Sequence, residues 1–231
     1  MVGSVTIAND GSITAGALDF KDHPTLVVNQ AITGGPGSCK NGSVPNTGTL
    51  SFTAAGVSRT LNFASSPTLL AGFGRVEESD SNMKGSGEIY LQVNPASPSF
   101  GSYAFGLEGA DASGNRYVVA GALCSNNALA VTYLQADLDD NNNNAAAQSF
   151  TGTPAYSAPD ADGRSTTNGP IAFSNGASLN LTFYATGAGG PLLTIESSPI
   201  GTSVQVLSGF ISGSQGLVAC PRLQEASATP P

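Results

Sequence analysis

The sequence predicts an all-β fold, arranged as two tandem antiparallel up-and-down meander barrels (or sandwiches), the first of them lacking its first strand. Three observations lead there. Apolar residues alternate with polar ones at period two, as in Leu179-Asn180-Leu181-Thr182-Phe183, so that one face of each segment is apolar. The alternation is cut by Asp10-Gly11, Asn41-Gly42, Asp162-Gly163, Asn168-Gly169 and Asn175-Gly176, dipeptides that accept the positive φ of tight hairpins. The chain also repeats itself. Leu61-Asn62-Phe63 recurs as Leu181-Thr182-Phe183 and Leu18-Asp19 as Leu138-Asp139, both 120 residues on, and Val76-Glu77-Glu78-Ser79 recurs as Ile195-Glu196-Ser197-Ser198, 119 residues on.

Residues 1–92 form the first expected domain, with seven strands near 2–8, 12–20, 25–32, 48–54, 57–64, 70–78 and 84–92. Its apolar positions Leu61 and Phe63 face inward. Residues 93–99, with Pro95 and Pro98, are the expected linker, stiffened by the two prolines. The second domain spans 100–216 with eight strands, near 102–111, 116–124, 131–139, 147–153, 169–174, 178–186, 191–197 and 204–212. Short connections favour a barrel whose last strand pairs with its first. The tail 217–231 is apolar to Leu223 and then fades into small residues and proline. Glu77 to Lys84 has no apolar stripe, and Asn141 to Gln148 opens on four asparagines, so neither favours a helix. The strand around Tyr103-Ala104-Phe105-Gly106-Leu107 has no counterpart in the first domain. Its equivalent would precede Met1.

Charged residues are 10% of the chain, Gly numbers 29, Trp is absent and the formal net charge is −8. Eight Lys and Arg in 231 residues make no basic patch for nucleic acid or anionic lipid. No apolar run approaches the ~18 residues of a membrane helix, and Met1-Val2-Gly3-Ser4 is not a signal peptide. No membrane insertion is expected, and an export signal, if any, lies outside this sequence. The abundance of Ser, Thr, Asn and Gly favours an extracellular or cell-surface protein. Cys39, Cys124 and Cys220 lack the spacing of a metal cluster. One pair, with Cys39 and Cys220 the candidate, suits an oxidising compartment, and small buried thiols are the alternative.

Short motifs recur in order: a Gly-bearing strand (Gly3, Gly121), Ile13-Thr14 and Val131-Thr132, the Leu61 and Leu181 triplets, Glu78-Ser79 and Glu196-Ser197, then Ser86-Gly87 and Ser208-Gly209. The segment Tyr103-Ala104-Phe105, followed by Gly109-Ala110-Asp111-Ala112-Ser113-Gly114-Asn115, occurs once. This series resembles tandem repeats of predicted bacterial secreted and lipoprotein-type surface proteins. The resemblance implies an extracellular, non-enzymatic protein and assigns no site residue.

Residue chemistry agrees with that expectation. His23, the only histidine, sits in Asp22-His23-Pro24 with no nucleophile motif around it. Glu77 and Glu78 are strand neighbours and point to opposite faces, so they cannot flank one glycosidic bond. Asp137, Asp139 and Asp140 are weak calcium candidates, as is Asp160-Ala161-Asp162-Gly163, because neither run continues into a binding loop closed by Glu. No catalytic residue and no cofactor is expected.

The expected function is therefore a structural protein of a bacterial surface, a filament subunit and homopolymer joined head-to-tail by strand complementation. Val2 and Tyr90 would flank the gap, and Leu217, Val218 and Ala219 are the first candidate donor. The alternative is a monomeric surface binding or adhesion module, with its ligand in the second barrel or on the loops around Asn141 to Asn144.

Overall fold

The computed structural model describes residues 1–22, 25–42, 47–65, 73–78, 85–93, 101–111, 113–126, 129–139, 144–152, 154–187, 190–198 and 206–213. It is all-β and antiparallel throughout its ladders. In the N-terminal half, β1 (Val2–Ile7), β2 (Ile13–Asp22) and β3 (Thr25–Ala31) make a three-stranded sheet in sequence order. A second sheet runs β4 (Cys39–Asn41), β5 (Thr47–Ala54), β6 (Val57–Ser65), β7 (Phe73–Glu78) and β8 (Gly85–Tyr90), also in order. All seven expected strands are present, with the short β4 in addition. They do not form one continuous meander. The two sheets touch through Thr33 and Thr53, whose amides and carbonyls exchange hydrogen bonds of 3.0 and 2.9 Å. Leu18, Ile32, Leu50, Phe52 and Leu61 fill the space between them.

The β5–β6 hairpin turns on Ala55 and Gly56, both at positive φ (51° and 76°), the two-residue geometry whose twist matches that of the strands. β5 then alternates half-buried and buried without a break, because a strand with one face on a core must.

The C-terminal half is a ten-stranded sheet curled on itself. Its strands are β9 (Gly101–Ala110), β10 (Arg116–Ser125), β11 (Val131–Asp139), β12 (Asn144–Thr151), β13 (Arg164–Thr166), β14 (Ile171–Phe173), β15 (Ser178–Leu179), β16 (Leu181–Ala185), β17 (Leu192–Glu196) and β18 (Val206–Gly213). The spatial order is β13-β16-β17-β18-β9-β10-β11-β12-β14-β15. As expected, the last strand pairs with the first of this half: β18 lies along β9 from Val206↔Ala110 to Gly213↔Tyr103.

Closure takes an unexpected route. Residues 154–157 join the start of β11 to the end of β13, through Val131 N to Pro154 O (2.8 Å), Tyr156 N to Leu129 O (2.9 Å) and Ser157 N to Thr166 O (2.8 Å). The wall is therefore β9, β10, β11, this segment, β13, β16, β17 and β18, while β12, β14 and β15 branch from the far half of β11. The extra stave β13 was not legible because three residues cannot carry an alternation. Phe105, Leu107, Val119, Leu134, Leu181, Phe183, Leu207 and Ile211 pack inside.

Candidate functional site: the open edges and the clamp beside them

In the C-terminal half β9 has a partner on each side. It pairs with β10 from Gly101↔Ser125 to Ala110↔Arg116, and with β18 on the other edge. Tyr103, Phe105 and Leu107 point into the barrel and are buried, while Ala104, Gly106 and Glu108 between them are exposed.

The N-terminal half meets the same problem differently. Its first hairpin repeats the β10–β11 hairpin residue for residue at a spacing of 118. Gly3 opposes Leu18 as Gly121 opposes Ala136, and a Cβ on either glycine would fall within 2.5 Å of Ala17 O or 2.1 Å of Gln135 O. The ladder slips at Thr6/Ile7 and at Cys124/Ser125. Thr14 Oγ1 donates to Thr6 O, and Thr132 Oγ1 to Cys124 O. At the next strand pair both ladders skip an aspartate, Asp19 or Asp137. Each carboxylate accepts the amide of a positive-φ residue across the bulge, Asn29 (3.1 Å) or Ala147 (2.6 Å). The pairing thus matches Asp19 with Asp137, whereas the sequence comparison had matched it with Asp139. Later, Leu61↔Glu78 matches Leu181↔Glu196.

By this correspondence β1 stands where β10 stands and β8 where β18 stands. Between β10 and β18 lies β9. Among the described residues nothing pairs with the second edge of β1 or of β8. Val2 and Tyr90, the expected flanking residues, lie on these two strands. Leu217, Val218 and Ala219 fall outside the described residues.

Beside the open edges the two halves are clamped together. From Ala17 to Lys21, β2 is covered on both faces. Leu18 reaches the N-terminal core, and Ala17, Asp19 and Lys21 turn toward the outer wall of the barrel. There Arg164 grips Asp19 with two parallel bonds, Nε to Oδ2 at 2.7 Å and Nη2 to Oδ1 at 2.9 Å, and Tyr184 OH donates to Oδ2 at 2.6 Å. Lys21 Nζ pairs with Glu196 Oε2, whose other oxygen accepts the Ser198 amide at 2.7 Å. Asp19, Lys21 and Glu196 are at most 3% exposed. Every residue of β16 is buried, because the core covers one face and β1 and β2 the other.

Burial, reinforced by the Asp19 hydrogen bond, raises the Tyr184 pKa, and that same carboxylate raises the Arg164 pKa. Gln92 extends the seam by donating Nε2 to Asp162 O (2.7 Å) and Ala185 O (2.8 Å). Tyr90 meets Phe210 edge-on at 6.2 Å, and burial with the Glu88 carboxylate pushes its phenol pKa up to about 12. In the sequence Asp19 and Glu196 stand out only as parts of the repeat motifs, and Lys21, Arg164 and Tyr184 carry no site role. The partners of Asp19 and Lys21 lie at least 145 residues away.

The remaining candidates separate. Glu78 is held by Arg59 at 2.6 Å, with the guanidinium 4.9 Å from the Phe20 ring, and Glu77 points the other way and is exposed. Asp137 is committed to its bulge and Asp139 faces Arg116 at 3.9 Å; Asp140 and His23 lie outside the described residues. Among the described residues no three acidic, Cys or His side chains gather as a metal site. The cysteine expectation needs correction. Cys39 is a free thiol, its pKa raised by burial, and it is Cys124, fully buried on β10, that is disulfide-bonded. Cys39 sits on the short β4, packed against the N-terminal core. No family model, curated protein or solved structure matches the chain.

Proposed function

We propose that the chain is a non-enzymatic extracellular structural protein of a bacterial surface, built of two tandem copies of one β domain. It assembles head-to-tail into a homopolymer when a strand from a neighbouring copy fills the gap between β1 and β8. The observation that carries this is β9: the C-terminal copy holds a strand paired on both edges where, among the described residues, the N-terminal copy has two unpaired edges. An incoming strand of the same pattern would bury three side chains at ~1.5–3 kcal/mol each and add main-chain bonds at ~1 kcal/mol net apiece. A contact of that kind joins unlike surfaces and propagates. The disulfide at Cys124 favours an oxidising compartment, and the buried clamp would let the two copies act as one rigid segment.

The test is sedimentation of the full chain with electron microscopy, in the presence and absence of a peptide of sequence Gly101–Ala110. Concentration-dependent polymers that the peptide caps are expected. A monomer at micromolar concentration that ignores the peptide rejects the reading. Polymers that survive deletion of 217–231 would remove the tail as donor and leave another segment in that role. The alternative, a monomeric binding module, draws on a cavity inside the barrel.

A further inference from the structure

Where β9 crosses β18 there is no room for a side chain. Gly209 on β18 lies opposite Leu107, and a Cβ there would fall 1.9 Å from Gly106 O and 3.0 Å from Leu107 Cα. The crossing strand therefore requires glycine. The match to Gly209 in the N-terminal half is Gly87 on β8, because Gly87 opposes Val76 as Gly209 opposes Thr194, and each glycine follows a serine. Nothing described in that half requires it. Gly87 does not take positive φ, its ladder with β7 has no bulge, and a Cβ would meet, among the described residues, only Val76 Cγ2 at an ordinary 3.5 Å. Glycine inside a strand weakens it and marks a bulge, a tight bend or the close approach of another main chain; at Gly87 the last remains. The side chains around the gap point the same way. Val5, Phe20, Phe63 and Ile89 are all half-buried, whereas Leu123, Leu138, Phe183 and Ile211, at the matching positions, are buried in one core with Tyr103, Phe105 and Leu107.

We propose that the groove between β1 and β8 takes an extended segment of a second chain with the alternation of β9, held in a single register by its main chain crossing Gly87. The pairings of β9 give that register: Tyr103 opposes Leu123, Phe105 opposes Gly121 and Leu107 opposes Gly209. The incoming strand therefore sets one large apolar side chain opposite Val5, the next opposite Gly3 and the third opposite Gly87. Three such side chains, each two residues from the last, are what the groove selects. As a strand, residues 217–220 would not supply them, since Leu217 and Val218 would point to opposite faces and the next residue on each face is Ala219 or Cys220.

The inference rests on the strand-filled gap proposed above, and one set of measurements separates the two. A fluorescent peptide of sequence Gly101–Ala110 is titrated with the full chain, native or carrying Gly87→Ala or Gly85→Leu, while sedimentation reports polymers. Gly85 is the control, because it lies two residues away on the same strand in open space and Leu207 stands two residues before Gly209. Gly87→Ala should weaken the peptide about tenfold, the effect of one methyl group forced against a main chain, and leave the urea midpoint of the chain unchanged or raised. Gly85→Leu should bind as the native chain does. In the peptide, Phe105→Ser should weaken binding about tenfold or more, since an inward apolar side chain is lost, and Ala104→Ser should have little effect. No binding by the native chain, undiminished binding by Gly87→Ala, equal losses in the two variants, or tighter binding of a peptide of residues 216–223 would overturn the proposal. Peptide binding that follows the expected pattern without polymers would keep the groove and reject head-to-tail growth; polymers that form undiminished in Gly87→Ala would keep growth and reject the register.

Discussion

Asp19 and Asp137 occupy the same bulge of the same hairpin, and each accepts the amide of a positive-φ residue across it. There the likeness ends. Asp137 is exposed at the surface, and Asp19 is buried under an arginine and a tyrosine from the opposite half. One local structure therefore serves as a turn device in one half and as the anchor of an interface in the other. What differs is the neighbour. On the wall of the N-terminal half, Thr47 and Ala64 pair as Arg164 and Tyr184 do, so no second clamp of this kind is available for Asp137. The head-to-tail growth proposed above therefore relies on strand pairing and not on a second clamp.

The largest expected effect tests that contrast directly. Asp19→Ala strands Arg164 and Tyr184 without their acceptor, and breaking a buried pair from one side costs about 3–5 kcal/mol. Asp137→Ala loses one exposed bulge bond, about 1 kcal/mol or less. Urea unfolding followed by circular dichroism should separate the two. It should also resolve the Asp19→Ala transition into two, because the two cores share no residue. Equal losses for the two aspartates would mean that the clamp contributes little.

Lys21 and Glu196 sharpen the comparison, since at the position of Lys21 the C-terminal hairpin carries the half-exposed Asp139, 3.9 Å from Arg116. Lys21→Met alone leaves Glu196 charged and buried, and should destabilise by about 3–5 kcal/mol. Adding Glu196→Leu should recover most of that loss, because apolar replacement of a whole buried pair is often close to neutral. A double variant no better than the single one would show that Glu196 matters chiefly through the Ser198 amide.

How far the sequence reached follows from the same residues. Period two and the Gly-containing turns placed the strands, because each signal is local: of the five expected turn glycines Gly11, Gly163, Gly169 and Gly176 take positive φ, and Gly42 does not. The letters and the hydrogen bonds set different registers between the two halves. Leu18-Asp19 resembles Leu138-Asp139 in letters, whereas hydrogen bonding matches Asp19 to Asp137, and a bulge residue has no letter of its own. The clamp was illegible for a deeper reason. A buried charge and a solvated one look alike along a strand until the chain supplies a partner from 145 or more residues away. The free Cys39 belongs to the same class, as cysteine pairing is set by distance in the fold.

Alkaline pH offers a smaller effect confined to the clamp. Burial and then the Asp19 carboxylate oppose the Tyr184 phenolate, so above pH ~10, the ordinary phenol range, the native state keeps a proton that the unfolded chain releases. The contribution of Tyr184 is complete below that pH and is lost as the pH climbs toward the folded value. Tyr90, raised to about 12, acts in the same sense. Stability measured from pH 9 to 11 should fall, and Tyr184→Phe should flatten the fall. An unchanged slope in Tyr184→Phe would place the alkaline loss elsewhere.

The smallest expected effect returns to the shared bulge. Asn29 and Ala147 both adopt left-handed φ, 49° and 53°, a region that asparagine and glycine enter readily and alanine enters at a cost of roughly 1–2 kcal/mol. Both are exposed, so a change there acts through the backbone and not through packing. Ala147→Gly relieves the strain, but glycine also gains freedom in the unfolded chain, which takes back part of the gain. A net stabilisation of about 0.5–1 kcal/mol is expected. Asn29→Gly should stay within about 0.5 kcal/mol of the native chain, and Asn29→Ala should lose about 1 kcal/mol. If Ala147→Gly destabilises instead, the bond from the Ala147 amide to Asp137 Oδ1, not backbone strain, governs that bulge, and the two aspartates differ in function even within the turn they share.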